Sequence, residues 1–203
     1  NLAEVCDELA QLAVLSRTVQ NVESQNLALV PQLQELYPGD PGVIISQLMN
    51  VVELAPNESM EVNAGVVHAY VSGLGVEVMA SSDNVLRGGL TQKHINTEEL
   101  KNVLDYSTAL IRPDSAKTET QGLYRYPSRN KDYIVYRVEV GATNILADLK
   151  LPNAAIVVCT AGEIAVGDSK EECQVLRKGE AAYLADANFY SFSGSGTGFL
   201  VTN

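Results

Sequence analysis

Positive charge is scarce in this sequence. Its 203 residues carry 14 lysines and arginines against 25 aspartates and glutamates, a net charge of −11, and the cations form no basic run. That balance argues against a nucleic-acid partner, whose phosphates call for clustered cations. An anionic ligand would have to be held by a local cluster working against the overall field. Long hydrophobic runs are missing too: nothing approaches the ~20 apolar residues that cross a bilayer, so no membrane partner is expected. No basic-then-apolar leader precedes Asn1. The cysteines, Cys6, Cys159 and Cys173, are odd in number and lack C-x-x-C spacing. They read as buried thiols of a reducing compartment, which makes a cytoplasmic protein the expectation. Histidines number two, His68 and His94. The chain opens without methionine inside a helical pattern, as a piece of something longer would.

What is present suffices for one large or two small domains with real cores. Leu2, Val5, Leu9, Leu12, Ala13 and Val19 recur at helical spacing, and a second helix is expected over Asn26–Tyr37 through Leu29, Val30, Leu33 and Leu36. Core packing explains these stripes better than a partner-binding face. The run Tyr37-Pro38-Gly39-Asp40-Pro41-Gly42 stops that helix and closes a helical segment at 1–42. Strands are expected over Gln47–Leu54 and Ser59–Val62, with a turn at Pro56-Asn57. Asn96-Thr97-Glu98-Glu99 announces a short helix to about Asp105, capped by Asn96. The polar stretch 107–132 reads as a linker. Short strands follow over Ile134–Val140, Ala155–Thr160, Glu163–Val166, Gln174–Leu176, Ala181–Leu184 and Gly198–Val201, at the spacing of a β-sandwich or barrel. Gly194-Ser195-Gly196 reads as a loop tip, and the acidic patch from Asp168 to Glu172 as a solvated turn.

The stretch 57–93 concentrates the chemistry. Alternation over Val66–Val71 puts His68 and Tyr70 on one face. A loop at Ser72-Gly73-Leu74-Gly75 and a return strand Val76–Ala80 would pair Tyr70 with Glu77 and His68 with Met79, bringing His68, Tyr70 and Glu77 together. A one-residue slip would send Glu77 to the other face. A histidine beside aliphatic strand residues is, by default, a hydrogen-bonded core residue. The frame around it favours a functional reading. Asn57, five residues, Asn63-Ala64-Gly65, two residues, His68 approximates the second cupin motif, G-x5-P-x-G-x2-H, in which a corner swings a histidine into a jelly-roll barrel to bind metal. Asn stands here for both the leading Gly and the Pro. The first cupin motif, with its paired histidines and glutamate, is missing, and His94 fits a surface role. The spacing recurs at Gly179, Ala185-Asp186-Ala187 and Tyr190, with Tyr in the histidine's place, as in a second, metal-free jelly roll that serves packing or substrate closure.

The block from His68 to Lys93, H-A-Y-x-x-G-x-G-x-E-x-M-A-x-S-D-N-V-x-R-x-G-x-T-x-K, is long and ungapped. It resembles the type I mannose-6-phosphate isomerase family, and the likeness runs from the Tyr37–Gly42 turn through Tyr106 and more faintly through the late strands. It covers most of this chain but only the C-terminal half of a family member. The resemblance implies a mainly β fold of cupin jelly-roll units with an N-terminal helical segment. Residues 43–106 would form the second half of the catalytic cupin and 133–203 a metal-free jelly roll. It implies interconversion of mannose 6-phosphate and fructose 6-phosphate through a cis-enediol, with His68 one of four zinc ligands. The other three, a Gln, a His and a Glu, belong to a half that these residues lack. Arg87 matches the arginine assigned to the active site, and Tyr70, Glu77 and Lys93 match pocket positions.

These residue types suit that chemistry. Zinc polarises a carbonyl and stabilises a developing enediolate. Glu77 could relay protons or hold sugar hydroxyls, with Tyr70 orienting it. Arg87 offers a planar fork for phosphate or enediolate oxygen, and Lys93 a flexible point charge. A structural alternative is that Glu77 pairs with Arg87 or Lys93 merely to satisfy charge. The alternative function is a non-enzymatic sugar-phosphate-binding cupin without a complete metal site. An exposed half-barrel edge would invite homodimer formation by strand pairing.

Overall fold

A computed structural model describes residues 1–15, 22–82, 84–107, 112–168, 173–185 and 188–203. The chain divides into two compact units that interleave along the sequence: Asn1–Glu53, Val62–Tyr70 and Ser82–Arg112 form the first, and Leu54–Glu61, Val71–Ser81 and Pro113–Asn203 the second.

In the first unit the helical stripes fold as expected. α1 (Leu2–Leu15) and α2 (Val22–Leu36) pack through Leu2, Cys6, Leu9, Ala10, Val30 and Leu33, joined by Val43 and Leu90. Val19, expected to extend the first stripe, lies outside the described residues. The strand expected over Gln47–Leu54 does not form. Pro41 instead starts a helical turn, α3 (Gly42–Ile45), which continues as a 3-10 turn over Ser46–Leu48. Asn26 secures that turn. Its buried Nδ2 donates to the carbonyls of Gln47 (3.3 Å) and Met49 (2.7 Å), and Gln47 Nε2 donates back to the Asn26 carbonyl at 3.1 Å. Backbone acceptors a strand would need are thus taken by a side chain.

The second unit is antiparallel β. A two-residue β1 (Glu58–Ser59), preceded by the Pro56-Asn57 turn, pairs with β2 (Asp114–Ser115). The main sheet contains β3 (Lys117–Thr120), β4 (Leu123–Arg125), β5 (Ile134–Val140), β6 (Leu146–Leu151), β7 (Ala155–Asp168), β8 (Gln174–Arg177), β9 (Ala181–Leu184) and β10 (Asn188–Thr202). Its order is β3-β4-β5-β10-β7-β8, with β6 also pairing β10 and β9 also pairing β7. The stretch read as a linker therefore holds three strands, two of them in this sheet. The protein is mainly β with an N-terminal helical segment.

Two long strands organise this unit. β10 pairs along its length with β7, and its two ends pair separately with β6 and β5. Inward residues of the main sheet, Val138, Val157, Cys159, Ile164, Leu176, Phe192 and Leu200, are fully buried in one apolar cluster. Each such side chain stabilises the fold by roughly 1.5–3 kcal/mol relative to exposure. Gly194 and Gly196, expected at a loop tip, lie inside β10 because the strands meet there too closely for side chains. A Cβ on Gly194 would stand 2.6 Å from the Glu163 carbonyl oxygen, and one on Gly196 2.6 Å from that of Ala161. Tyr190 is buried, and its hydroxyl donates to the Ala185 carbonyl at 3.2 Å. Asp186 and Ala187 of the frame preceding it, and residues 169–172 of the acidic patch, lie outside the described residues. Cys6 and Cys159 are buried free thiols as expected, but Cys173 is exposed, immediately before β8. Among the described residues no helix is long and apolar enough to cross a membrane.

Candidate functional site

The corner before His68 is built from hydrogen bonds. Val66 N donates to the Asn63 carbonyl at 3.2 Å, and Asp105 N donates to the Gly65 carbonyl at 2.9 Å. Gly65 sits at φ +81, in the left-handed region that favours glycine. Asp105 follows α4 (Thr97–Val103), which forms because Asn96 accepts from Glu99 N at 3.1 Å and Glu98 and Glu99 occupy the positive first turn. The Asp105 carboxyl is held below the usual carboxylate range, chiefly by its hydrogen bond with the Ser107 side chain and also by that from Ser107 N.

Beyond the corner the expected hairpin is not formed. Residues 66–71 and 76–80 join no ladder and Ser72-Gly73 is a bend. A lone two-stranded hairpin is marginal in water, and the pairs that alternation proposed need a sheet to stand on. His68 and Tyr70 do come together: their rings meet edge to face with centroids 6.2 Å apart. Glu77 belongs to the second unit. All five candidate residues, His68, Tyr70, Glu77, Arg87 and Lys93, are exposed.

His68 is nevertheless oriented. Its Nδ1 lies 3.0 Å from the Val66 carbonyl oxygen, which can only accept, so Nδ1 is the donor here, and whenever the ring is neutral the lone pair is on Nε2. This is the tautomer that suits a metal donor. The pattern of the sequence gave no hint of this partner.

The cationic loop is anchored in the first unit. A Cβ on Gly88 would stand 3.6 Å from Val67 Cγ1, so the backbone next to Arg87 runs beside the residue preceding His68. Gly89, at φ +147, lets the chain bend closely past Asp40 and Gly42, and Leu90 enters the helical core. Lys93 N then donates to Thr91 Oγ1 at 3.1 Å. Arg87 and Lys93 thus flank a half-buried anchor, Leu90, and form no ion pair among the described residues. His94 is exposed, in keeping with a surface role. Asp83 of the motif block lies outside the described residues.

As a metal centre the arrangement is partial. Among the described residues no group of three His, Cys, Asp or Glu could hold an ion. His68 fits zinc as a single donor, whereas a protein zinc site uses three or four. These residues alone do not make the site.

A scan against protein-family models finds no match. Curated proteins do match. The chain is 34% identical over 191 residues to a mannose-6-phosphate isomerase of Salmonella typhimurium, covering 91% of this chain and 47% of that protein. It is 36% identical over 142 residues to the rat (Rattus norvegicus) mannose-6-phosphate isomerase, covering 67% of this chain and 33% of that one. Among solved structures, a Salmonella typhimurium mannose 6-phosphate isomerase bound to substrate (f6p) and a zinc atom superposes with a TM-score of 0.74 at 30% identity, over 96% of this chain and 49% of that one. A mannose 6-phosphate isomerase bound with zinc and yttrium gives the same TM-score of 0.74, again at 30% identity. The chain spans about half the length of the Salmonella relatives it matches, 47% of the curated protein and 49% of the solved one.

Proposed function

The chain belongs to the mannose-6-phosphate isomerase family, and on that premise we propose that it forms the C-terminal part of a zinc-dependent aldose–ketose isomerase. The reaction is the interconversion of mannose 6-phosphate and fructose 6-phosphate through a cis-enediol. The observation that supports this reading is the 3.0 Å contact of His68 Nδ1 with the Val66 carbonyl oxygen, which turns Nε2 of the ring towards a donor role.

His68 would hold zinc through Nε2, with the remaining donors coming from outside these residues. When bound, zinc would stabilise negative charge developing on the substrate oxygen. This chain's own residues supply the rest. Arg87 binds phosphate or enediolate oxygen through its permanently charged fork, and Lys93 adds a second cation on the same loop. Tyr70, edge-on to the His68 ring, orients a sugar hydroxyl. Glu77 accepts hydrogen bonds from hydroxyls or relays a proton.

A second reading, a sugar-phosphate-binding cupin without catalysis, is favoured by one observation: among the described residues His68 belongs to no group of three His, Cys, Asp or Glu that could hold an ion. One experiment separates the two. The chain is fused to the half of the Salmonella relative that it does not match, and zinc content and mannose 6-phosphate turnover are measured with and without His68→Ala. The isomerase reading requires stoichiometric zinc and turnover, both lost in the variant. A folded fusion that binds the sugar phosphate without zinc or turnover establishes the binding module instead.

A further inference from the structure

The helix α4 has no buried residue of its own, yet it is tightly placed. Its cap is formed by Asn96, its last turn closes with Leu104 N donating to the Leu100 carbonyl at 3.1 Å, and the next amide, Asp105 N, turns away to the Gly65 carbonyl at 2.9 Å. A Cβ on Gly65 would stand 2.6 Å from the Val103 carbonyl oxygen, so helix exit and corner are in direct backbone contact. From Gly65 the chain reaches Val66, whose amide is held by Asn63 and whose carbonyl accepts from His68 Nδ1. Every group in this series belongs to the first unit.

We propose that α4 and its exit amide at Asp105 are a positioning clamp for His68. By gripping the Gly65 carbonyl they fix the Gly65–Val66 peptide, whose amide Asn63 also holds, and so set where Val66 starts; the carbonyl of Val66, on the next peptide, meets His68 Nδ1. The clamp acts through the corner and touches neither metal nor sugar, so α4 is a positioning element and not part of the catalytic set. An exposed seven-residue helix that packs little but ends on a backbone contact has this placement as its evident use. The proposal rests on the reading of His68 as a metal donor for its purpose, but not for its test.

The test reads the ring directly. Long-range 1H–15N correlation on the 203-residue chain, at a pH where the imidazole is neutral, reports which nitrogen of His68 carries the proton. In the unaltered chain the Nδ1–H form dominates. Asp105→Pro removes the donor to Gly65, and proline is compatible here because Leu104 is extended, at φ −65 and ψ 131. The Nδ1–H form then falls to the minor species. Asp105→Ala keeps the amide and loses only the carboxylate, so the ring signals stay as in the parent. The proposal is overturned if Asp105→Pro leaves the tautomer unchanged, or if Asp105→Ala disturbs it equally. Should Asp105→Pro cost the fold, Asn96→Ala and Asn96→Ser decide: the clamp requires the alanine to lose the Nδ1–H preference and the serine cap to restore it. Because the readout needs no metal, its failure removes the clamp and leaves the zinc reading standing. Loss of zinc binding with an intact tautomer would remove the donor role alone.

Discussion

The Val103 carbonyl oxygen and the α-carbon of Gly65 are so close that a Cβ at position 65 would lie 2.6 Å from that oxygen. No other residue type fits there without displacing backbone, and the left-handed φ of +81 adds its own cost for a residue with a side chain. The corner three residues ahead of His68 is therefore defined by the end of a helix that begins more than thirty residues later.

Gly65→Ala follows directly. Strain and contact together should destabilise the first unit by about 2–3 kcal/mol. Urea denaturation followed by the amide signals of α1 and α2 measures it, with Gly75→Ala as the control, since nothing lies within 4 Å of a Cβ there. Equal midpoints for the two variants would show that the corner yields freely.

The β7–β10 crossing should be as intolerant. At Gly162, φ +68, an added Cβ would collide with the Ser195 carbonyl, and the nearest atoms are all backbone of Ser195 and Gly196, with no flexible side chain to move aside. Gly162→Ala is expected to cost about 3 kcal/mol or more of the second unit's stability. A loss under ~1 kcal/mol in chemical denaturation would mean the two strands can part locally.

Much of the second unit was legible in the sequence, because alternating residues there do face one core. β5 and β9 coincide with the expected Ile134–Val140 and Ala181–Leu184. β6 was missed because Asp148, at φ 52, breaks its alternation. Glycines misled in one direction: Gly194 and Gly196 were read as a turn, whereas they admit the close approach of a neighbouring strand. In the candidate site the residue types were legible and the geometry was not. Alternation over Val66–Ala80 proposed pairing, but a ladder needs a sheet beside it and these residues supply none. The cap at Asn96 announced α4, while its target, Gly65, is distant in sequence and carries no pattern.

Alkaline titration should expose the burial of Tyr126. Burial pushes its phenol above the ordinary 10.0, the Arg137 charge opposes that, and Glu139 adds to it. A raised value means the folded state holds the proton longer than the unfolded chain does. Its contribution is fully present below about pH 10 and is lost as pH rises through the folded value. Urea midpoints between pH 8 and 11 should fall more steeply for the parent than for Tyr126→Phe. Parallel curves would refute the burial effect. The stacked ring of Phe199, 6.1 Å away, remains in both proteins and so does not enter the comparison.

Arg87 provides the sharpest check on the proposed reaction. Its guanidinium can grip two oxygens of one phosphate or enediolate, which a lysine ammonium cannot reproduce. In the fusion with the Salmonella half, Arg87→Lys should lower kcat/KM for mannose 6-phosphate by roughly 10- to 100-fold, the loss expected for a charged hydrogen bond of about 1.5–3 kcal/mol. Lys93→Gln, which removes a flexible point charge, should act mainly on KM and weaken further as salt is added, since that charge is exposed. Steady-state kinetics at two ionic strengths separate the pair. If Arg87→Lys turns over at the parent rate, the loop's cations serve solubility or folding. The likeness of the block around them would then reflect shared architecture without shared chemistry.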